Sequence, residues 1–576
     1  MRTSRVLALL MGCCLLGGVG VAAAGATTGP SVGATPVLAS DHVNQCAADP
    51  PADLSDPAGD TEDVIGWVEG YWYNESVDVT GPTLTESELD TLVTRTAARV
   101  EALRCLTYDK LPPTEMRTRA EHRSDIESQF EAELTEADGR AENARLATAL
   151  IAGQATDAVE LQLDVRTSFP AAFYDTEAEF IGFITDDPDS IAIDETILAH
   201  ELVHALQNQN VDLGPVFEQP TTDRFTSSLA VVEGDATLVE EQYVENCETG
   251  ETGAWVDSCI RQQPDPSFDM PSWPLTLEQL AAYNTPLVED TFESEGWAGV
   301  NSLLENPPDS TVEALEPDRY GEFEPALPTV EDLSTAEWDR VDLESRDDEV
   351  FGQHALTAIL MAPFYETNGQ TEIIDSSEFL VDPDAGEISY DHPVTDGWRG
   401  DRFYAYTNGE ETAGVWRIEW ASANGATTFV DAFEDLAEYR GGSLAGGSGD
   451  VYTFENSDEF DMAMGIQQNG DSILVVTAPT TDELTDVHGA FDSQTDGPDD
   501  GGESDDGTGD GSTDDGIGDD GTAEDGSTDD GSTDDGTDEG STDDGGADDD
   551  GAGFGVLVVV VALTAGVLAV RRRQRG

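Results

Sequence analysis

Positive charge is what this sequence has least of. Lys110 is its only lysine, and Lys and Arg together number 25 against 121 Asp and Glu, for a formal net charge of −96 over 576 residues. No basic surface is on offer to neutralise phosphates, which speaks against a nucleic-acid partner. Cysteine is scarce as well, with six residues, two of them (Cys13 and Cys14) inside an apolar N-terminal stretch. None stands in C-x-x-C spacing, which speaks against a cysteine zinc site. Apolar runs of membrane length are confined to the two ends. Only 24 of the 121 acidic residues fall in the tail Gln494–Asp550, so most of the acid lies on a part with ordinary apolar periodicity. Such a chain is not disordered by composition alone. It reads as one that folds in concentrated salt, where self-repulsion is screened within about 3 Å at 1 M.

The ends read as addresses. Residues 1–26 form a secretion signal: Arg2 and Arg5, an apolar core from Val6 to Ala24, then small residues around Ala24–Ala26. A linker, 27–60, follows. The four remaining cysteines suggest disulfides in an exported chain. Sequence allows three connectivities; Cys247 with Cys259 and Cys46 with Cys105 are the expected pairs. Asn74-Glu75-Ser76 is a glycosylation sequon, so an N-glycan is expected at Asn74. Residues 492–552 are repeats of Gly, Ser, Thr and Asp with nothing to bury, hence a solvated stalk. Residues 553–576 hold the apolar run Phe554–Val570 and Arg571-Arg572-Arg573, which reads as a membrane anchor.

The densest chemistry lies in Thr196–Gln209. His200-Glu201-Leu202-Val203-His204 is an H-E-x-x-H match. On a helix both imidazoles share one face and can hold one metal ion, with Glu201 beside them as a general base. A third ligand is needed for a catalytic zinc. Gln207 and Asn210 stand where a metzincin has glycine and histidine, which excludes that class. Glu233, on a second helical stretch at about Asp223–Glu245, is the chosen third ligand; Glu240, Glu241 and Glu245 are alternatives. Asp235 is a partner for a histidine nitrogen. The remaining need is a donor to a developing oxyanion, for which His354, Tyr243 and Tyr320 are candidates. Thr85–Leu106 reads as a helix opened by a Thr85/Glu88 capping box, Glu121–Ala152 as two helical pieces parted at Asp138-Gly139, and Asp348–Met361 as a helix stopped by Pro363. Ala172–Asp175 and Phe180–Ile184 read as strands just before the metal helix. Strands at Asp401–Tyr406, Val415–Trp420 and Ser472–Val476, with a helix at Thr427–Tyr439, indicate an α+β domain over 376–491. It follows a mainly helical domain over 61–375.

Four resemblances attach to these residues and to the composition. His200, Glu201, His204 and Glu233 resemble the gluzincin class of zinc metallopeptidases, which implies a zincin-like α+β fold, zinc, and a peptide or protein substrate bound beside an edge strand. The acid-rich composition resembles that of proteins from extremely halophilic archaea. Ala552-Gly553-Phe554 with the terminal arginines is similar to the PGF-type sorting signal of their surface proteins, although alanine stands where that pattern has proline. The segments Pro307–Tyr320 and Gly397–Arg402 resemble exported prokaryotic proteins that also carry H-E-x-x-H. Together these imply a cell-surface zinc metallopeptidase, held by its C-terminus. The alternatives are a non-catalytic surface protein of metallopeptidase-like fold, and a calcium- or glycan-binding adhesin on an acidic stalk. Catalysis requires that His200, His204 and a carboxylate converge beside an open cleft.

The charge pattern predicts that folding depends on salt. Circular dichroism during stepwise dilution from concentrated KCl should show a cooperative loss of helix; a spectrum unchanged down to about 0.1 M, where screening reaches only about 10 Å, would contradict it.

Overall fold

The computed structural model describes Cys46, residues 64–79 and residues 83–491, apart from short internal stretches of which 249–254 and 262–269 are the longest. The expected signal, stalk and anchor lie outside the described residues. Among those described, no helix is long and apolar enough to cross a membrane.

The fold is α+β. Helix α1 (Glu86–Arg104) opens with the expected capping box, Thr85 and Glu88 each satisfying the other's free N–H. It ends on Cys105, whose left-handed backbone (φ 68°) is held by the bridge to Cys46. Strand β1 (Thr114–Arg117) leads into helices α2 (Arg119–Glu133) and α3 (Glu136–Thr148). The break between them falls at Leu134–Thr135, not at the expected Asp138–Gly139. Thr135 and Asp138 form a second capping box there, and a cap that satisfies two free N–H groups outweighs the cost of a glycine one turn into the helix.

Strands β2 (Ala172–Asp175) and β3 (Phe180–Ile184) form an antiparallel hairpin, and β1 joins β3 in parallel, in the order β1-β3-β2. Helices α4 (Glu195–Asn210) and α5 (Thr222–Glu248) pack on each other, on α1 and, for α4, on β2. Their apolar faces make one core, with Leu92, Leu198, Leu202, Leu206 and Val239 fully buried. Next come α6 (Trp273–Leu280) and a 3-10 turn, Ala281–Tyr283, laid along α5. Helix α7 (Thr311–Leu315) and strand β4 (Asp339–Arg340) follow.

The second part is an antiparallel sheet of seven strands. Its order is β7-β8-β9-β10-β6-β5-β4, with β5 (Trp398–Thr407), β6 (Thr412–Trp420), β7 (Ser443–Leu444), β8 (Val451–Thr453), β9 (Ala463–Asn469) and β10 (Ser472–Ala478). Helix α3 packs on β5, β6 and β10, while α8 (Gly352–Glu366) and α9 (Ala423–Tyr439) also cover it. Pro363 does not stop α8, which runs on to Glu366: the flanking Met361 and Ala362 are fully buried, and packing on all sides holds the turn that the missing N–H weakens. The core of this sheet contains Ala144 and Leu150 as well as Leu356, Trp416 and Val475, so the expected boundary at 375/376 lies within one continuous core.

The segments Pro307–Tyr320 and Gly397–Arg402 have structural roles. Thr311 donates through both its N–H and its hydroxyl to Asp223 in the first turn of α5. Gly400 leaves room for the Ala326 carbonyl, whose oxygen would lie 2.4 Å from a Cβ there. Asp401, fully buried, accepts from Phe351 and Gly352 N–H at the start of α8 and from the indoles of Trp398 and Trp416. Asp401→Ala would strand four buried donors, so urea unfolding in concentrated salt should show a loss on the order of 3 kcal/mol or more; a loss below about 1 kcal/mol would contradict this role.

Candidate metal centre

Helix α4 is fixed at its start before any ligand is considered. At its start the Asp194 side chain caps Thr196 N–H. Glu195, with no exposure, accepts from Arg95 (2.8 Å), Arg99 (2.9 Å), the Tyr243 hydroxyl (2.5 Å) and Ile260 N–H (3.0 Å). Ile260 follows Cys259, whose bridge to Cys247 ties this loop to the end of α5. Arg99 also lies over the Trp255 ring, 4.0 Å from its centroid. Both disulfides therefore form as expected, and one of them braces the helix carrying the motif.

One face of α4 presents His200 and His204 to α5, the rings edge-on at 4.7 Å between centroids. Opposite them stands Glu233, its Oε2 3.4 Å from His200 Nε2 and 3.7 Å from His204 Nε2. These three atoms have no hydrogen-bond partner, and the three residues are at most 1% exposed. Leaving three polar atoms unpaired in a core is costly. Ligands 2.0–2.1 Å from a tetrahedral ion sit about 3.4 Å apart, close to the spacing found. Of the described residues, His200, His204 and Glu233 are the one group of three whose donor atoms could hold a single ion. The orphaned set thus fits a cation, and its two imidazoles and one carboxylate suit zinc.

Behind the imidazoles, His204 is hydrogen-bonded and His200 faces a carboxylate. His204 Nδ1 lies 2.9 Å from Gln207 Oε1. Gln207 uses its NH₂ to donate to Val232 O and Asp235 Oδ2, so its oxygen accepts, Nδ1 carries the proton, and the lone pair of Nε2 faces Glu233. Asp235 in turn accepts from Arg104 at 2.6 Å. The expected link between Asp235 and a histidine therefore exists, but it runs through Gln207. Glu240, seven residues beyond Glu233 on the same face, places Oε2 3.2 Å from His200 Nδ1. Its position is behind the histidine, where it orients the ring. Burial opposes a charge on His200, yet Glu233 and Glu240 outweigh it and raise the pKa to about 10. For His204 burial wins, and its pKa falls to about 4.

Glu201 is fully buried, and neither carboxylate oxygen has a hydrogen-bond partner. Burial lifts its pKa to about 8, with His200 pulling the other way. A cation beside it is what would restore its ionised form. Burial also settles the expectation of an open cleft: with Glu201 and all three donors sealed, the site is closed in this conformation.

None of the three anticipated oxyanion donors reaches the cluster. Tyr243 gives its hydroxyl to Glu195 behind the helix. Tyr320 donates to Asn306 O. His354 lies in α8, 1% exposed, in the neighbourhood of Arg145, and burial drives its pKa to about 3. Glu241 and Glu245 are outside the metal-binding group as well. The aromatic residue that does reach it is Tyr283, stacked on His200 with centroids 6.4 Å and planes 25° apart.

Residues 339–488 match a domain of unknown function, DUF8575. The match covers β4 to β10 and α8, and stops short of every metal donor. No curated protein and no solved structure matches the chain.

The shell behind His204 generates a prediction. Gln207→Leu should weaken zinc binding roughly 10–100-fold in chelator competition while the fold persists; unchanged affinity would show that the Gln207 contact does not orient the ligand.

Proposed function

We propose that this chain is an exported, zinc-dependent metallopeptidase that hydrolyses peptide bonds of peptides or proteins outside the cell. The observation that carries the reading is the trio of unpaired, buried donor atoms on His200, His204 and Glu233, with Glu201 alongside. The zincin-like, gluzincin-type reading draws support from the third ligand lying on the helix that follows the motif. It also draws support from β2, an edge strand packed on the metal helix, since an edge strand can pair with an extended substrate. Two disulfides suit an exported chain. The C-terminal anchor, and lipid attachment after processing, belong to the same proposal. So does a glycan on Asn74, whose Oδ1 accepts from Val256 N–H and leaves Nδ2 for the sugar.

Zinc held by the trio would polarise the substrate carbonyl as a Lewis acid. Glu201, one position after the first ligand, takes a proton from the attacking water and passes it to the leaving amine. Gln207 and Glu240 keep both imidazoles aimed at the ion through their Nδ1 atoms. Substrate entry requires the covering elements to part.

A second reading is favoured by that same closure. A non-catalytic surface protein that keeps a metallopeptidase-like centre for structure would have its metal sealed from water. Elemental analysis and proteolysis assays in concentrated salt separate the two. The first reading expects about one zinc per chain, and a Glu201→Gln protein that keeps its zinc but loses at least about 10²-fold in hydrolysis. Zinc retained in an inert wild-type protein supports the second reading, and a zinc-free wild type contradicts both.

A further inference from the structure

We propose that helix α6 and the 3-10 turn after it, Trp273–Tyr283, form an autoinhibitory strap over the metal centre, held shut by the part of the chain that matches DUF8575. This rests on the metallopeptidase reading and concerns its regulation. With the strap in place His200, His204, Glu233 and Glu201 are all sealed, so a peptide reaches them only when the turn lifts away.

The strap lies on the ligand-bearing face of α5. Leu275, Gln279 and Ala282 face Phe225 and Leu229 across a gap that holds one water at most. Phe225, Leu229 and Glu233 are spaced by four along α5 and share one face, so the next turn of that face carries the ligand. There Tyr283 stacks on His200, with centroids 6.4 Å apart. The hold comes from the other side. Leu275, Leu277 and Ala281 are buried in the core of the seven-stranded sheet, while Ala282 belongs to the core of the metal helices. The Tyr390 hydroxyl donates to Leu277 O (2.5 Å), Asn284 Nδ2 donates to Ile388 O (2.5 Å), and Trp273 stacks on Tyr365 of α8 with centroids 5.1 Å apart. Tyr365, Ile388 and Tyr390 all lie within the matched residues 339–488. The strap is thus anchored in one core and rests on the centre with its last turn. That turn is 3-10, a poorer hydrogen-bond geometry than the α-helix before it and a recurrent site of hinging. Tyr283 and Asn284 are half-buried, so the hinged end already borders solvent.

The test loosens the anchor and leaves the site intact. Tyr390→Phe keeps the ring and removes the donor; Leu277 O retains the Ala281 N–H, so no buried carbonyl is orphaned. Asn284→Ala removes the second bond. Tyr406→Phe, which deletes a hydroxyl that accepts from Arg340 in another core of the same sheet, is the control. Two rates are measured on zinc-loaded protein in concentrated salt: transfer of zinc to excess EDTA, and hydrolysis of casein. Both should rise roughly 5-fold in each strap variant, the factor by which loss of one ordinary hydrogen bond shifts an opening equilibrium. Tyr406→Phe should keep both rates at the wild-type value. A wild type that hydrolyses casein, with neither rate moved in either strap variant, overturns the strap and leaves the metallopeptidase reading standing. So does faster zinc transfer with unchanged hydrolysis, or an equal rise in Tyr406→Phe. A protein that holds no zinc, or that holds zinc and hydrolyses nothing in any variant, overturns both.

Discussion

The carboxylate of Glu195 is the constraint on which the metal helix depends. It is buried with no exposure at the first helical residue of α4, and a lone charge there would be prohibitively expensive. Two arginines from α1, a tyrosine from α5 and a main-chain N–H from the disulfide loop converge on it. Because all of them must meet at one point, the orientation of α4 against its neighbours is set before any metal is present. At the other end of α1, Arg104 holds Asp235, which holds Gln207, which holds His204. A chain with only 25 basic residues thus places three of them, all buried, on one helix, where they brace the two ends of the metal site. Elsewhere its acidic surface is left for salt to screen.

This scaffold explains why the ligand cluster is so well formed and why it is closed. The His204 imidazole, its Nδ1 held by Gln207, and His200, with Glu240 3.2 Å behind its Nδ1, are oriented before an ion arrives. The same tight packing removes Glu201 from water and raises its pKa, a state that only a nearby cation reverses. On the proposed reading metal and general base are coupled: the base would be ready when the ion is there. What catalysis at the sealed cluster would require in addition is a way in.

Much of the centre was legible because its signals are local. The i, i+4 spacing of His200 and His204, the capping box at Thr85 and Glu88, and the apolar face of α5 with Glu233 on it all follow from helical periodicity. The short Cys247–Cys259 loop was legible too. What escaped is either a competition between local preferences or a contact across great sequence separation. Thr135 prevailed over Asp138-Gly139 because a double cap is stronger than one poor helix former. Pro363 was absorbed by a buried helix. The Arg95–Glu195 and Arg104–Asp235 pairs span 100 and 131 residues, and no pattern in an acid-rich chain tells which acid will be buried. Tyr283 stands some eighty residues from His200 in a plain stretch, and its place is decided by how the turn after α6 lies on α5. The three expected donors failed for the same reason: a side chain's chemistry can be read from sequence, but the group it answers to is chosen by packing.

The central claim is that His200, His204 and Glu233 hold one zinc ion. X-ray absorption at the zinc edge, on protein purified in concentrated salt, tests it directly. The account predicts a first shell of nitrogen and oxygen alone at about 2.0–2.2 Å, with two imidazole nitrogens whose outer-ring scattering is resolved, and loss of that signature in His200→Ala. An absent zinc edge, or a sulfur shell near 2.3 Å, would contradict it.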